Sequence, residues 1–144
     1  MNTGAFPYWT AAAAVFLAVL QMLLLGYTAL GRGKYRVGLG DGGNPAMLKR
    51  MRMHGNLAEN APLFLILLGL VELSGQWAMY VPWIVIAFAV MRLSHMIGIG
   101  LSAGVTLFRF LGSAGTAVVI LALAGMLAIT LSRDTQWLAA LPHV

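Results

Sequence analysis

Cysteine is absent from the chain, which excludes disulfides, a cysteine nucleophile and thiolate metal clusters, so any thiol chemistry has to come from a ligand. No metal site is expected. Charge is almost as scarce. Only 9% of the 144 residues are Asp, Glu, Lys or Arg, against roughly 25% in a soluble domain, and such a chain cannot cover a water-facing surface. Acidic residues are the rarest class, four against nine Lys and Arg. A repeat of fixed period is also missing, which excludes solenoid and array architectures.

What the chain has instead is apolar length. Hydrophobic residues make up 60% of it, gathered in runs at 8–30, 57–74, 78–100 and 107–131, each near the ~20 residues needed to cross a bilayer as a helix. Extending the second run back toward Pro45 gives expected helices at 8–30, 47–74, 78–100 and 107–131 in a single domain over 1–144. The expected fold class is all-α, an integral membrane four-helix bundle. The first run is too long for a signal peptide and no Lys or Arg precedes it, so it reads as a retained anchor. Connections at 75–77 and 101–106 are too short for a further domain. Pro62 and Pro82 are expected in first turns, where proline is tolerated. Tyr8, Trp9, Tyr27, Trp77, Tyr80, Trp83 and Trp137 lie near run ends, which suits rings at headgroup depth.

Charge orients the bundle. Arg32, Lys34, Arg36, Lys49, Arg50 and Arg52 fall in the first connection, opposed there by Asp41, while Arg92, Arg109 and Arg133 balance Glu59, Glu72 and Asp134. The net charge of +5 therefore belongs to that connection, which is expected to face the cytoplasm, with both termini on the non-cytoplasmic side. For Lys34, Lys49 and Arg50 the expected partner is an anionic lipid headgroup. The high pI does not imply nucleic acid, which needs a solvent-facing basic surface with stacking aromatics.

Several motifs dissolve on inspection. Gly38, Gly40 and Gly43 match G-x-G-x-x-G, but no strand precedes them and no βαβ unit fits, so they read as a flexible connection closed by Pro45. Gly98 with Ser102, and Gly100 with Gly104, have the four-residue spacing that lets membrane helices approach, and are packing candidates. His143 is assigned no role.

The informative segment runs from Arg52 to Pro62. On a helix begun near Pro45, Arg52, Asn56 and Glu59 fall at i, i+4 and i+7 on one face, with His54 and Asn60 nearby. Pro62 removes a donor and is expected to loosen the backbone near Ala58. Carrying Glu59 toward the hydrocarbon costs roughly 2.5–3.5 kcal/mol on insertion scales, so something must compensate it. One reading is a structural ion pair with Arg52 or Arg92. The other is a ligand or ion path, for which Arg92 and His95, at i and i+3 on the third helix, would supply a second wall. Arginines bind carboxylates bidentately, Glu59 can hold an amine, and Asn56 and Asn60 can serve amides. The matching ligand is zwitterionic and peptide-like, met by a lipophilic partner arriving through the bilayer.

The string Arg52-x-His54-x-Asn56-x-x-Glu59-Asn60, with Pro62 behind it, resembles the helix-two signature of the MAPEG family, membrane-associated proteins of eicosanoid and glutathione metabolism, and within it the microsomal glutathione transferases. Arg92-x-x-His95 is similar to the R-x-x-H of the same proteins. Arg32 with Tyr35, Arg36 and Val37 resembles the basic end of helix one in the leukotriene-forming synthases. The resemblance implies a homotrimer with glutathione bound between subunits near the cytoplasmic side. It further implies that Arg52, Asn56, Glu59 and Asn60 hold glutathione, with Arg32, His54, Arg92 and His95 as additional contacts. The family's thiol-activating arginine has one candidate, Arg109, whose guanidinium would stabilise thiolate over thiol. Ile99 and His95 stand where some relatives carry tyrosines, and Arg109 falls a few residues later than the family's arginine. Arg109 reads equally as an interfacial anchor.

Three functions follow from this reading. The first is a glutathione transferase or peroxidase acting on hydrophobic electrophiles or lipid hydroperoxides, in the cytoplasmic membrane if the source is bacterial. The second is a non-catalytic lipid- or partner-binding protein of the same fold. The third, a proton-coupled exporter using Glu59, fits less well, because the cluster sits toward one face and contains neutralising arginines.

Overall fold

The computed structural model of the chain describes residues 6–102, 104 and 106–133; Asp134, Trp137 and His143 lie outside them. Four helices follow one another, α1 (Tyr8–Tyr35), α2 (Pro45–Leu73), α3 (Val81–Leu101) and α4 (Leu107–Arg133), and all four are long and apolar enough to cross a membrane. The described residues include no strand. The protein is thus an all-α, multi-pass membrane bundle. The closest associations are α3 with α4 and α1 with α2.

Helix ends differ from expectation where polar residues suit them. At 28 residues, α1 is about 42 Å long at 1.5 Å per residue, against a hydrocarbon core of about 30 Å. It therefore continues past residue 30 to Tyr35, placing Arg32 and Lys34 in its last turn, where cations meet the negative end of the helix dipole. Arg36 then takes the left-handed conformation, with φ 54° and ψ 43°, and ends the helix. Asn44 caps α2, its side chain accepting from the N–H groups of Ala46 at 2.9 Å and Met47 at 3.1 Å, and Pro45 occupies the first turn. Lys49, Arg50 and Arg52 are accordingly helical, not part of a loop. Pro62 lies inside α2, not in its first turn, because the helix begins far earlier than the uncharged run does. Pro82 does occupy the first turn of α3.

The core is a seam of Leu57, Phe64, Leu68 and Val71 from α2, Ala13 and Leu17 from α1, Val81 and Phe88 from α3, and Leu123 from α4. Phe64 and Phe88 stack with centroids 3.6 Å apart. Many large apolar side chains face outward, among them Val15, Leu23, Leu30, Trp83 and Leu121, as lipid or subunit contact requires. At one end of the bundle the Glu72 carboxylate accepts hydrogen bonds from the Trp9 N–H at 2.9 Å, the Thr10 N–H at 2.8 Å and the Thr10 hydroxyl at 2.6 Å. The end of α2 thus caps the start of α1. At the other end Arg50 crosses Gly31, lies 3.7 Å from the Tyr27 ring centroid and donates to the Tyr27 carbonyl at 2.6 Å. Arg50 therefore pins α1 to α2 and is engaged with protein.

Candidate functional site

The cleft begins with one face of α2. Lys49, Arg52, Asn56 and Glu59 follow at i, i+3, i+7 and i+10, so they share that face. The Asn56 amide nitrogen donates to the Arg52 carbonyl at 2.9 Å and that of Asn60 to the Asn56 carbonyl at 2.7 Å, which holds both amides against the helix. Arg52 and Glu59 are exposed and separated along the axis by about 10.5 Å of helical rise. Among the described residues no ion pair joins Arg52 to Glu59 or Glu59 to Arg92. Opposite charges thus stand on one membrane-helix face without neutralising each other.

Two adjoining recesses share Arg52 and Leu48. The inner one, about 260 Å³, is lined by Leu48, Met51, Arg52, Gly55, Asn56 and Glu59. The outer one, about 270 Å³, is lined by Pro45, Leu48, Lys49, Arg52, Ile99, Ser102 and Arg109. The inner recess carries both signs of charge; the outer carries three cations and no acid.

Arg109 reaches the outer recess because two glycines let α4 lie against α3. A Cβ built at Gly98 would collide with the backbone N and Cα of Arg109, and one at Gly112 would lie 2.5 Å from the His95 nitrogen. Polar contacts lock the same junction. The Thr106 hydroxyl caps α4 by accepting from the Arg109 N–H at 3.2 Å and donates to the Gly98 carbonyl at 3.3 Å. Ser94 donates to the Phe108 carbonyl at 3.0 Å, and His95 Nδ1 lies 3.2 Å from the Arg109 carbonyl. The Arg109 guanidinium donates to the Gly104 carbonyl at 3.5 Å.

The remaining candidates stand elsewhere. Arg92 is buried and ties α3 to two other helices, donating to the Asn56 carbonyl of α2 at 3.3 Å and, on α4, to the Gly112 carbonyl at 3.2 Å and to the Thr116 hydroxyl. His95 is buried one turn further along. Arg92, His95 and Ile99 share a face of α3, but α4 closes over the first two, so of these three Ile99 lines the cleft. The second wall is therefore Ile99, Ser102 and Arg109, where the sequence pattern pointed to Arg92 and His95. Arg32 donates to the Gly38 and Gly40 carbonyls at 3.1 and 3.3 Å and so holds the loop after α1. His54 is half-buried and lines neither recess. Gly98 proves to be a packing glycine, whereas Gly104 is exposed.

Lys49 and Ser102 line the cleft as well, although the sequence pattern pointed Lys49 to a lipid headgroup and Ser102 to helix packing. Lys49 had a signal, its place three residues before Arg52 on the same face. Ser102 had none, because it enters only through the meeting of α3 and α4. No group of three or more His, Asp and Glu able to hold a metal occurs among the described residues.

A small membrane bundle with a charged cleft where α2, α3 and α4 end is the class of protein that this geometry defines. The chain belongs to the MAPEG family, whose model matches residues 10–129. It is similar to the inner membrane protein YecN of Escherichia coli, in strain K12 and in the O6:H1 strain CFT073, with 33% identity over 87 residues in each case. That match covers 59% of this chain and 65% of each relative. The protein is therefore a multi-pass membrane protein of the glutathione and eicosanoid family.

Proposed function

We propose that the protein is a glutathione-dependent transferase, with peroxidase activity toward lipid hydroperoxides, of the microsomal glutathione transferase kind. The observation that carries this reading is the unpaired opposition of Arg52 and Glu59 across about two helical turns beside two recesses. A zwitterionic peptide satisfies both ends of that stripe: a carboxylate pairs with the Arg52 fork, an amine with Glu59, and Asn56 and Asn60 serve the peptide groups between them. Arg109, across the cleft from Arg52, stabilises thiolate over thiol and raises the reactive fraction. Thiolate attack on an electrophilic carbon then forms the thioether bond as the leaving group departs with its electron pair. Arg92 and His95 act as positioning residues that hold α4, and Arg32 acts by ordering its loop.

The exposed charged face of α2 also favours a homotrimer, in which a neighbouring copy covers the stripe and completes the glutathione site. Clustering of Arg32, Lys34, Arg36, Lys49, Arg50 and Arg52 around one pair of helix ends supports a cytoplasmic orientation for that end, with both termini outside. The inner-membrane name of YecN supports the cytoplasmic membrane as its location. Purified protein in detergent should conjugate glutathione to a chromogenic electrophile, and Arg52→Ala should abolish the reaction. A chain that binds lipophilic ligands but gives no thiolate signal with glutathione belongs to the non-catalytic reading.

A further inference from the structure

We infer that the outer recess is a seat for the phosphate of an anionic phospholipid headgroup, and that lipid bound there competes with glutathione. The competition clause rests on the proposed function; the lipid site does not.

The outer recess gathers Lys49, Arg52 and Arg109 around about 270 Å³ with no acidic residue in its lining. Three like charges in one cavity repel one another and call for a counter-anion. The cavity lies where three elements terminate: Pro45 and Lys49 are in the opening turns of α2, Ser102 follows the end of α3, and Arg109 is in the first turn of α4. Ends of helices long and apolar enough to cross a bilayer meet it at the level of the lipid phosphates. Lys49 donates one hydrogen bond, to the Gly100 carbonyl at 3.4 Å, and an ammonium has three donors. Ser102 supplies a hydroxyl beside it. Exposed Leu107, Phe108, Phe110 and Leu111 in the opening turns of α4 offer apolar surface leading inward from the recess for the acyl chains. Arg52 and Arg109 are also the two cations assigned to glutathione, so a phosphate among them excludes the thiol ligand. Lys49 stands outside that assignment and belongs to the lipid seat alone. Membrane composition would thereby set how much of the protein is available to glutathione.

The test uses the full chain in nanodiscs of phosphatidylcholine, with and without phosphatidylglycerol, and compares wild type with Lys49→Gln. Association of spin-labelled phosphatidylglycerol, read as an immobilised fraction, should be about fivefold weaker in Lys49→Gln. Glutathione should bind the wild type more weakly in the phosphatidylglycerol discs than in phosphatidylcholine alone, and Lys49→Gln should remove that dependence, read as the ratio of its own affinities in the two discs. Inorganic phosphate added to phosphatidylcholine discs identifies the source of the anion: no competition at millimolar concentration supports the lipid, and competition equal to that of phosphatidylglycerol overturns the lipid assignment. Equal immobilisation in wild type and Lys49→Gln overturns the seat. A lipid dependence that persists in Lys49→Gln reports surface potential only and overturns the competition. If glutathione gives no thiolate signal in any disc, the proposed function fails, while the spin-label comparison still decides the seat.

Discussion

Replacing Gly98 by alanine should disable the thiol chemistry from a position that touches no ligand. A Cβ there would stand 2.7 Å from the Arg109 Cα and 2.8 Å from its Cβ, whereas carbon atoms pack best at about 3.5–4.0 Å. Both are parts of a helix, not the flexible end of a side chain, so α4 must retreat by about 1 Å. The His95 contact with the Arg109 carbonyl, at 3.2 Å, and the Thr106 contact with Gly98, at 3.3 Å, would both stretch out of hydrogen-bond range. Overpacking of this kind costs about 1–3 kcal/mol, readable as a lower Tm in detergent. A displacement of about 1 Å at the group that stabilises the thiolate should lower kcat about a hundredfold. Glutathione affinity should fall much less, because Arg52, Asn56 and Glu59 ride on α2. The assay is kcat and KM with a chromogenic electrophile, alongside thermal unfolding. A Gly98→Ala protein with wild-type Tm and kcat would refute the claim that this contact sets the position of Arg109.

Other outcomes follow from the same contacts. Glu72→Ala removes three hydrogen bonds and the cap of α1, and should lower stability by about 1–3 kcal/mol in thermal unfolding, with Glu72→Gln intermediate. Arg92→Met loses three bonds worth about 0.6 kcal/mol each inside a membrane bundle, so stability should drop by about 2 kcal/mol, while calorimetry of the folded protein should still find glutathione binding. Glu59→Gln keeps the shape of the inner recess but loses its negative charge, and should weaken glutathione binding about tenfold or more by calorimetry. Retained affinity in that variant would remove Glu59 from the amine-binding role.

The four spans were legible because uncharged runs of membrane length leave few alternatives, and the stripe from Arg52 to Glu59 because an acid in an apolar segment demands a reason. Boundaries were less so. The extent of α1 to Tyr35 was hidden by Arg32 and Lys34, which look like loop residues until the helix dipole and the headgroup region are considered. Counted from the uncharged run at 57, Pro62 falls in an opening turn; counted from a start near Pro45, it falls inside the helix, where the structure has it. The second wall was misplaced for a different reason. Arg92, His95 and Ile99 lie on one face, and which of them meets the cleft depends on how closely α4 approaches, a distance set by Gly98 and Gly112 together. Gly112 offers no motif, since its partner is the backbone of His95 in another helix.

A titration of the purified chain with glutathione, followed by thiolate absorbance in the ultraviolet, tests binding and activation at once. The account predicts a saturable rise in wild type, loss of the rise in Arg52→Ala through lost binding, and loss in Arg109→Ala with binding retained by calorimetry. No rise in the wild type, or an equal rise in Arg52→Ala, would contradict it.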